Sequence, residues 1–63
     1  MKPGEAHEGM RIMKLREYEP MVVWVYGTII EVGMFRGQET ALVAMEDRNY
    51  RESHLTIKLR KAE

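Results

Sequence analysis

The densest run of apolar side chains covers residues 21–32, MVVWVYGTIIEV. β-Branched and aromatic side chains fit a pleated sheet and lose rotamer freedom in a helix, so this run predicts a long β-strand. Gly27 lies inside the run, and a glycine within a strand pattern indicates a bulge or a sharp bend. We therefore expect one long strand that bends at Gly27.

Two shorter segments predict further strands. Residues 40–46 (TALVAME) form the returning strand of a hairpin whose loop, residues 33–39, contains two glycines. Residues 55–60 (LTIKLR) alternate apolar and polar, as in a strand with one buried face, and the polar residues 47–53 connect the two strands. The predicted core consists of the inward apolar side chains of these strands: Val23, Val25, Ile29, Leu42, Ala44, Leu55, Ile57 and Leu59.

Residues 10–19 allow two interpretations. Their Met, Arg, Lys, Leu and Glu side chains are good helix formers, yet alternate positions could equally follow the two faces of a strand. Pro20 ends either element because it lacks a backbone N–H. The predicted fold is all-β, a small barrel or a strongly bent antiparallel sheet. The alternative is an α+β fold with an N-terminal helix over residues 10–18.

Chain length and composition limit the domain organisation. A chain of 63 residues forms one domain with a thin core, because it buries only about 60% of the surface exposed on unfolding. Residues 1–9 contain a proline, two glycines and no apolar periodicity, which predicts a flexible leader to a domain over residues 10–63. The absence of cysteine excludes disulfides, thiol nucleophiles and thiolate zinc sites.

The charges balance, with ten basic and ten acidic residues, so no overall field would steer the chain onto nucleic acid or an anionic membrane. The sequence has no apolar run of membrane-spanning length and no signal-peptide pattern. These features predict a cytoplasmic protein without membrane attachment.

Few residues could carry catalysis. Ser53 is the only serine, and its side chain would diverge from that of its neighbour His54 on extended backbone. Glu46 and Asp47 would diverge for the same reason. No metal-ligand spacing or glycine-rich phosphate loop is present in the sequence. We therefore predict a protein that is not an enzyme and uses no metal, cofactor or small-molecule substrate.

The long strand is apolar on both faces, with Trp24 and Tyr26 together on one of them. A large exposed apolar patch usually marks an interface, which predicts binding of another protein or self-association. Alternatively, the bend swaps the faces, or residues 10–15 cover the second face. In the hairpin loop, Phe35 and Arg36 could add a binding hot spot, or Phe35 could fold back onto the core. The predicted partner-binding residues are Trp24, Tyr26, Phe35 and Arg36.

A second set of side chains suggests nucleic-acid binding as an alternative. Arginines flank Tyr50, which could stack on a base, and further cations follow near the C-terminus. Acidic residues interrupt this positive field, as expected of an ordinary solvated face. The predicted nucleic-acid-binding residues are Arg48, Tyr50, Arg51, Lys58 and Arg60.

The order of these elements resembles the SH3-like small barrels, including KOW and Tudor-type modules. Val23, Val25, Gly27, Thr28 and Ile29 carry the resemblance. Residues 52–55 stand in the place of the short turn that often precedes the last strand. The resemblance covers about residues 20–60 and implies a small barrel fold.

Together, these patterns predict a non-enzymatic binding module. Its primary predicted function is protein–protein interaction with a regulatory or inhibitory role. Binding of RNA or DNA is the alternative.

Overall fold

The computed structural model describes residues 1–2 and 4–62. Pro3 of the predicted leader and Glu63 of the predicted domain lie outside this description. Within the described residues, five antiparallel strands form one sheet in the order β4-β3-β2-β1-β5. They are β1 (Arg11–Tyr18), β2 (Met21–Phe35), β3 (Gln38–Met45), β4 (Arg51–Leu55) and β5 (Arg60–Lys61), with a 3-10 turn (Thr56–Lys58) between β4 and β5. The all-β prediction is confirmed, and the alternative helix over residues 10–18 is wrong.

Strand β2 belongs to two halves of the sheet. Its first part pairs with β1 and its second part with β3, and the two pairings overlap at Gly27 and Thr28. A Cβ at Gly27 would lie 2.6 Å from the Met45 sulfur and 2.8 Å from the Ala44 carbonyl oxygen. Only glycine fits this close approach of β2 to β3, so the predicted special role of Gly27 has a steric cause.

The faces of β2 change over at a bulge beyond Gly27. The register with β3 shifts between Ile29 and Glu31, which leaves Ile30 as the extra residue. Before the bulge Ile29 is buried, and after it Val32 packs against the core. A bulge therefore exchanges the faces, as one interpretation proposed, but the predicted position at Gly27 is wrong, because the register stays regular through Ile29. Trp24 and Tyr26 lie before the bulge, so their side chains stay on the outer face of β2.

The buried hydrophobic core is Met10, Ile12, Ile29, Ala41, Val43, Met45 and Leu59. The core predictions for Ile29 and Leu59 are confirmed. Those for Leu42 and Ala44 are wrong, because β3 turns its other set of alternate side chains inward. The prediction for Ile57 is also wrong, because the predicted last strand is interrupted by the 3-10 turn, which leaves Ile57 exposed.

The predicted leader contacts the domain. Met1 and Ala6 pack against the core, and the N-terminal ammonium group donates a hydrogen bond to the Leu59 carbonyl at 3.2 Å. The Gly9 amide donates to the Ile29 carbonyl at 2.8 Å. These contacts attach the segment to the sheet, while its flexibility stays a prediction.

The hairpin between β2 and β3 is tighter than predicted. The strands continue to Phe35 and from Gln38, which leaves a two-residue turn. Both turn residues have positive φ, 51° at Arg36 and 79° at Gly37, as in the type I′ turns that match the twist of paired strands.

The steric role of Gly27 predicts opposite effects for two glycine substitutions. Gly27→Ala should lower the free energy of unfolding by roughly 1–3 kcal/mol, since the added methyl group meets the Ala44 carbonyl and the structure must shift. Gly33→Ala is the matched control, because a Cβ there meets nothing within 4 Å. It should leave stability unchanged or raise it by up to about 1 kcal/mol. Urea denaturation measures both, and equal stabilities would contradict the proposed steric constraint.

Candidate interaction surface

Trp24 lies on the outer face of the half-sheet formed by β1 and β2. It stands opposite Leu15, with Tyr26 opposite Met13 on one side and Val22 opposite Glu17 on the other. We call these six outward residues the Trp24 face. Leu15 is 51% exposed and Trp24 is 43% exposed. Because β1 lies beside β2, it does not cover this face, and the interpretation in which residues 10–15 shield it is wrong.

One end of the Trp24 face is basic. Arg60 pairs with Met13 across β5 and β1, and its guanidinium carbon lies 5.4 Å from the centroid of the Trp24 ring. Lys14 and Lys58 join Arg60, Leu15 and Trp24 around a hollow of about 320 Å³. An apolar floor and three cations therefore meet in one depression.

The other end of the face is acidic. At the β1–β2 turn, a second hollow of about 230 Å³ is lined by Glu17, Glu19, Pro20, Met21 and Val22. Charge along the face thus changes from positive beside Arg60 to negative beside Glu17, with the Leu15–Trp24 pair between them.

Phe35 and Arg36 lie away from this face, at the tip of the β2–β3 hairpin. The Phe35 side chain is 63% exposed, so it does not fold back onto the core. The Arg36 guanidinium carbon lies 5.3 Å from the centroid of the Phe35 ring. The four predicted partner-binding residues therefore form two separate pairs, Trp24 with Tyr26 and Phe35 with Arg36.

The predicted nucleic-acid-binding residues also fall into two groups. Lys58 and Arg60 belong to the basic hollow beside Trp24. Arg48 and Tyr50 lie in the β3–β4 connection, with the Arg48 guanidinium carbon 5.9 Å from the centroid of the Tyr50 ring, and exposed Arg51 follows at the start of β4. The Arg48 Nε is 4.0 Å from a carboxylate oxygen of Asp47 and 4.0 Å from one of Glu52. These carboxylates reduce the positive field of the second group.

An ionic cluster that the sequence reasoning missed joins β1 to β4. The Arg16 guanidinium donates hydrogen bonds to Asp47 at 2.9 and 3.0 Å and to Glu52 at 2.9 and 3.1 Å. The side chains of Arg16, Asp47 and Glu52 are only 10, 17 and 15% exposed. The Tyr18 hydroxyl donates to Asp47, and His54 Nε2 lies 3.2 Å from a Glu52 oxygen.

The positions of these residues explain the cluster. Arg16 is four residues from buried Ile12 on β1, so both side chains lie on the inner face of that strand. On β4, Glu52 pairs with Val43 of β3, which is also buried. Strands β1 and β4 do not pair with each other in the sheet. Side-chain ion pairs therefore link them where backbone hydrogen bonds do not. The even spacing of Arg16 from Ile12 was the sequence signal that could have placed Arg16 on the inner face of β1.

The hydrogen bonds within the cluster hold its carboxylates and its guanidinium group in their charged forms. Those from Arg16 lower the pKa of Glu52 from 4.5 to about 2 and also lower the pKa of Asp47. Those accepted by Glu52 and Asp47 raise the pKa of Arg16. Donation to Asp47 raises the pKa of Tyr18. The charged groups of the cluster thus form their hydrogen bonds with one another. No three His, Asp or Glu side chains of residues 1–2 and 4–62 converge as metal ligands.

The cluster predicts loss of stability in acid. Because the pKa of Glu52 is lowered on folding, its contribution is complete above about pH 4.5 and disappears as the pH falls towards 2. Arg16→Met should reduce stability at pH 7 by roughly 1–3 kcal/mol and flatten this acid dependence. Urea denaturation at pH 7, 4 and 3 measures both effects.

Arg11→Met is the matched control for that substitution. The Arg11–Glu46 pair has the same 2.8–2.9 Å geometry as the Arg16 pairs, but both of its side chains are about half exposed. This variant should lose at most about 1 kcal/mol and keep the acid dependence. Equal losses of unfolding free energy in the two variants would show that the Arg16 cluster stabilises the fold no more than the exposed Arg11–Glu46 pair does.

Comparison with known proteins identifies no relative of this chain. No protein-family model, no curated protein and no solved structure matches it. The part of the chain that the structure describes also contains no helix that is long and apolar enough to cross a membrane.

Proposed function

We propose that this chain is a non-enzymatic binding module whose Trp24 face binds another protein, with a regulatory or inhibitory role. The observation that carries the proposal is the exposure of the Leu15–Trp24 pair at the centre of an apolar sheet face. Large contiguous apolar surfaces on small proteins usually mark interaction sites. Covering them gains roughly 25 cal/mol per Å² of apolar area removed from water.

The environment of Trp24 favours a protein partner over a nucleic acid. Arg60 already occupies a position over the indole ring, so a base could stack on that side only after Arg60 moved. Tryptophan, tyrosine and arginine together are the side chains enriched at the centres of protein–protein interfaces. All three are present here, because Trp24 and Tyr26 belong to the Trp24 face and Arg60 lies beside it.

Nucleic-acid binding is a second candidate, supported by the three cations Lys14, Lys58 and Arg60 around the basic hollow. Such binding would use phosphate contacts at this hollow. The group around Tyr50 suits it less, because Asp47 and Glu52 lie beside Arg48.

The resemblance to SH3-like barrels is a proposal about the fold. The bent β2 shared by two halves of the sheet and the 3-10 turn directly before β5 both suit such a barrel. The turn lies at Thr56–Lys58, and its expected place at residues 52–55 is wrong, because all four of those residues belong to β4. Barrels of this size host many unrelated functions, so the proposal depends on the Trp24 face and not on the fold.

Capture experiments with paired variants test the proposed function. The immobilised chain is exposed to a nuclease-treated lysate of its source cell, and retained proteins are quantified by mass spectrometry. We expect Trp24→Ser to reduce specific retention at least about tenfold, since hot-spot truncations cost about 2 kcal/mol or more. Phe35→Ser is the matched control, because Phe35 is similarly exposed but lies at the hairpin tip.

Two results would contradict the proposal. Retention that depends on Phe35 and not on Trp24 would move the site to the hairpin tip. Retention of nucleic acid from an untreated lysate, with affinity falling steeply as salt rises, would favour the second candidate, because phosphate contacts release counterions.

A further inference from the structure

We infer that the Trp24 face binds a second copy of this chain, forming a two-fold symmetric dimer. This inference rests on the proposed function and names the occupant of the same surface. It follows from the arrangement of charge along the face, which is complementary to itself after one particular rotation.

The register of the strands orders the face in three rows. The central row is the cross-strand pair Leu15 and Trp24. Towards the β1–β2 turn, the next row is Glu17 and Val22. In the opposite direction, the next row is Met13 and Tyr26, continued by Arg60 on β5. One outer row is therefore negative and the other positive.

Only one of the two simple rotation axes in the interface plane brings opposite charges together. An axis that runs across the strands through the Leu15–Trp24 row reverses the strand direction and places the Glu17 row of one copy over the Arg60 row of the other. An axis along the strands would place the Glu17 row over the Glu17 row and the Arg60 row over the Arg60 row, and like charges brought close together are strongly unfavourable. The face thus selects the first arrangement.

The two hollows strengthen this choice. The basic hollow is lined by Lys14, Lys58 and Arg60 together with Leu15 and Trp24 of the central row, and the acidic hollow, with Glu17 and Glu19, lies towards the β1–β2 turn. The rotation across the strands brings each hollow towards its opposite. Two such contacts form in the dimer, because a two-fold interface uses every complementary pair twice.

The chain as a whole favours close approach of two copies. Its formal net charge is zero, so long-range repulsion between copies is weak. A thin core also leaves a small domain more to gain from burying apolar surface against a partner. Contact through the central row would cover Leu15 and Trp24 in both copies at once.

The oligomeric state and the charge order are tested together. The full chain is examined by sedimentation equilibrium across a wide range of concentrations, with fluorescence as a second readout because Trp24 is the sole tryptophan. We expect a monomer–dimer equilibrium, with Trp24 emission shifting to shorter wavelength as the dimer forms. Glu17→Arg alone and Arg60→Glu alone should each weaken the dimer at least about tenfold.

Mixing the two variants provides the decisive step. In a mixed dimer the two reversed charges face each other, and so do the two unreversed charges, so an equimolar mixture should associate again as a heterodimer. The restored association also shows that both variants are folded. Glu31→Arg and Arg51→Glu are the matched controls, since these exposed charges lie on the other half of the sheet.

Two results would overturn the inference. The first is a chain that stays monomeric at every concentration. The second is a dimer that the reversals do not weaken, or that mixing the variants does not restore. If the chain stays monomeric but Trp24→Ser still abolishes retention of another protein, the proposed function stands with a different occupant. If the dimer behaves as expected and no other protein is retained, the second copy is the partner.

Discussion

The close approach of β2 to β3 at Gly27 is the constraint on which the rest of the structure depends. Nothing larger than hydrogen fits between Gly27 and the Ala44 carbonyl, at the point where β2 pairs with both β1 and β3. Beyond this point, the bulge at Ile30 turns the second part of β2 towards the core. A short chain thereby encloses a core with one continuous strand.

Folding the sheet brings β1 towards β4, and the Arg16 cluster joins them. Arg16 donates to Asp47 and Glu52 from the inner side of β1, so this end of the interior is ionic and not apolar. Inward charges on β4 also hinder pairing of this edge strand with other chains, as in many natural sheets. Cohesion in the fold is thus divided between an apolar core around Ile12 and an ionic link at the opposite end.

The position of β1 beside β2 explains why a large apolar surface of the sheet stays exposed. The first part of β2 is apolar on both faces, but β1 lies beside it in the sheet and can cover neither face. Val25 packs against the core, while Trp24 and Tyr26 point outward. The outer face carries cations at one end and carboxylates at the other. We interpret the Trp24 face on this physical basis.

The sequence by itself determined the features that depend on neighbours along the chain. These are the extended residues 21–32 and the shared face of Trp24 and Tyr26, since strand alternation is local. The inward set of β3 could also have been found from the sequence, because Ala41, Val43 and Met45 are all apolar whereas the other set includes Thr40 and Glu46. Tertiary structure decided the need for glycine at Gly27, which comes from Ala44 and Met45 on β3.

Tertiary structure also decided the end of β4 and the contacts between distant residues. Thr56 leaves the predicted strand because its buried hydroxyl donates to Glu39, far away in the chain. The meetings of Arg16 with Glu52 and of Trp24 with Arg60 have the same origin. Periodicity reports which side of a strand a residue occupies, but only the folded sheet determines what that side meets.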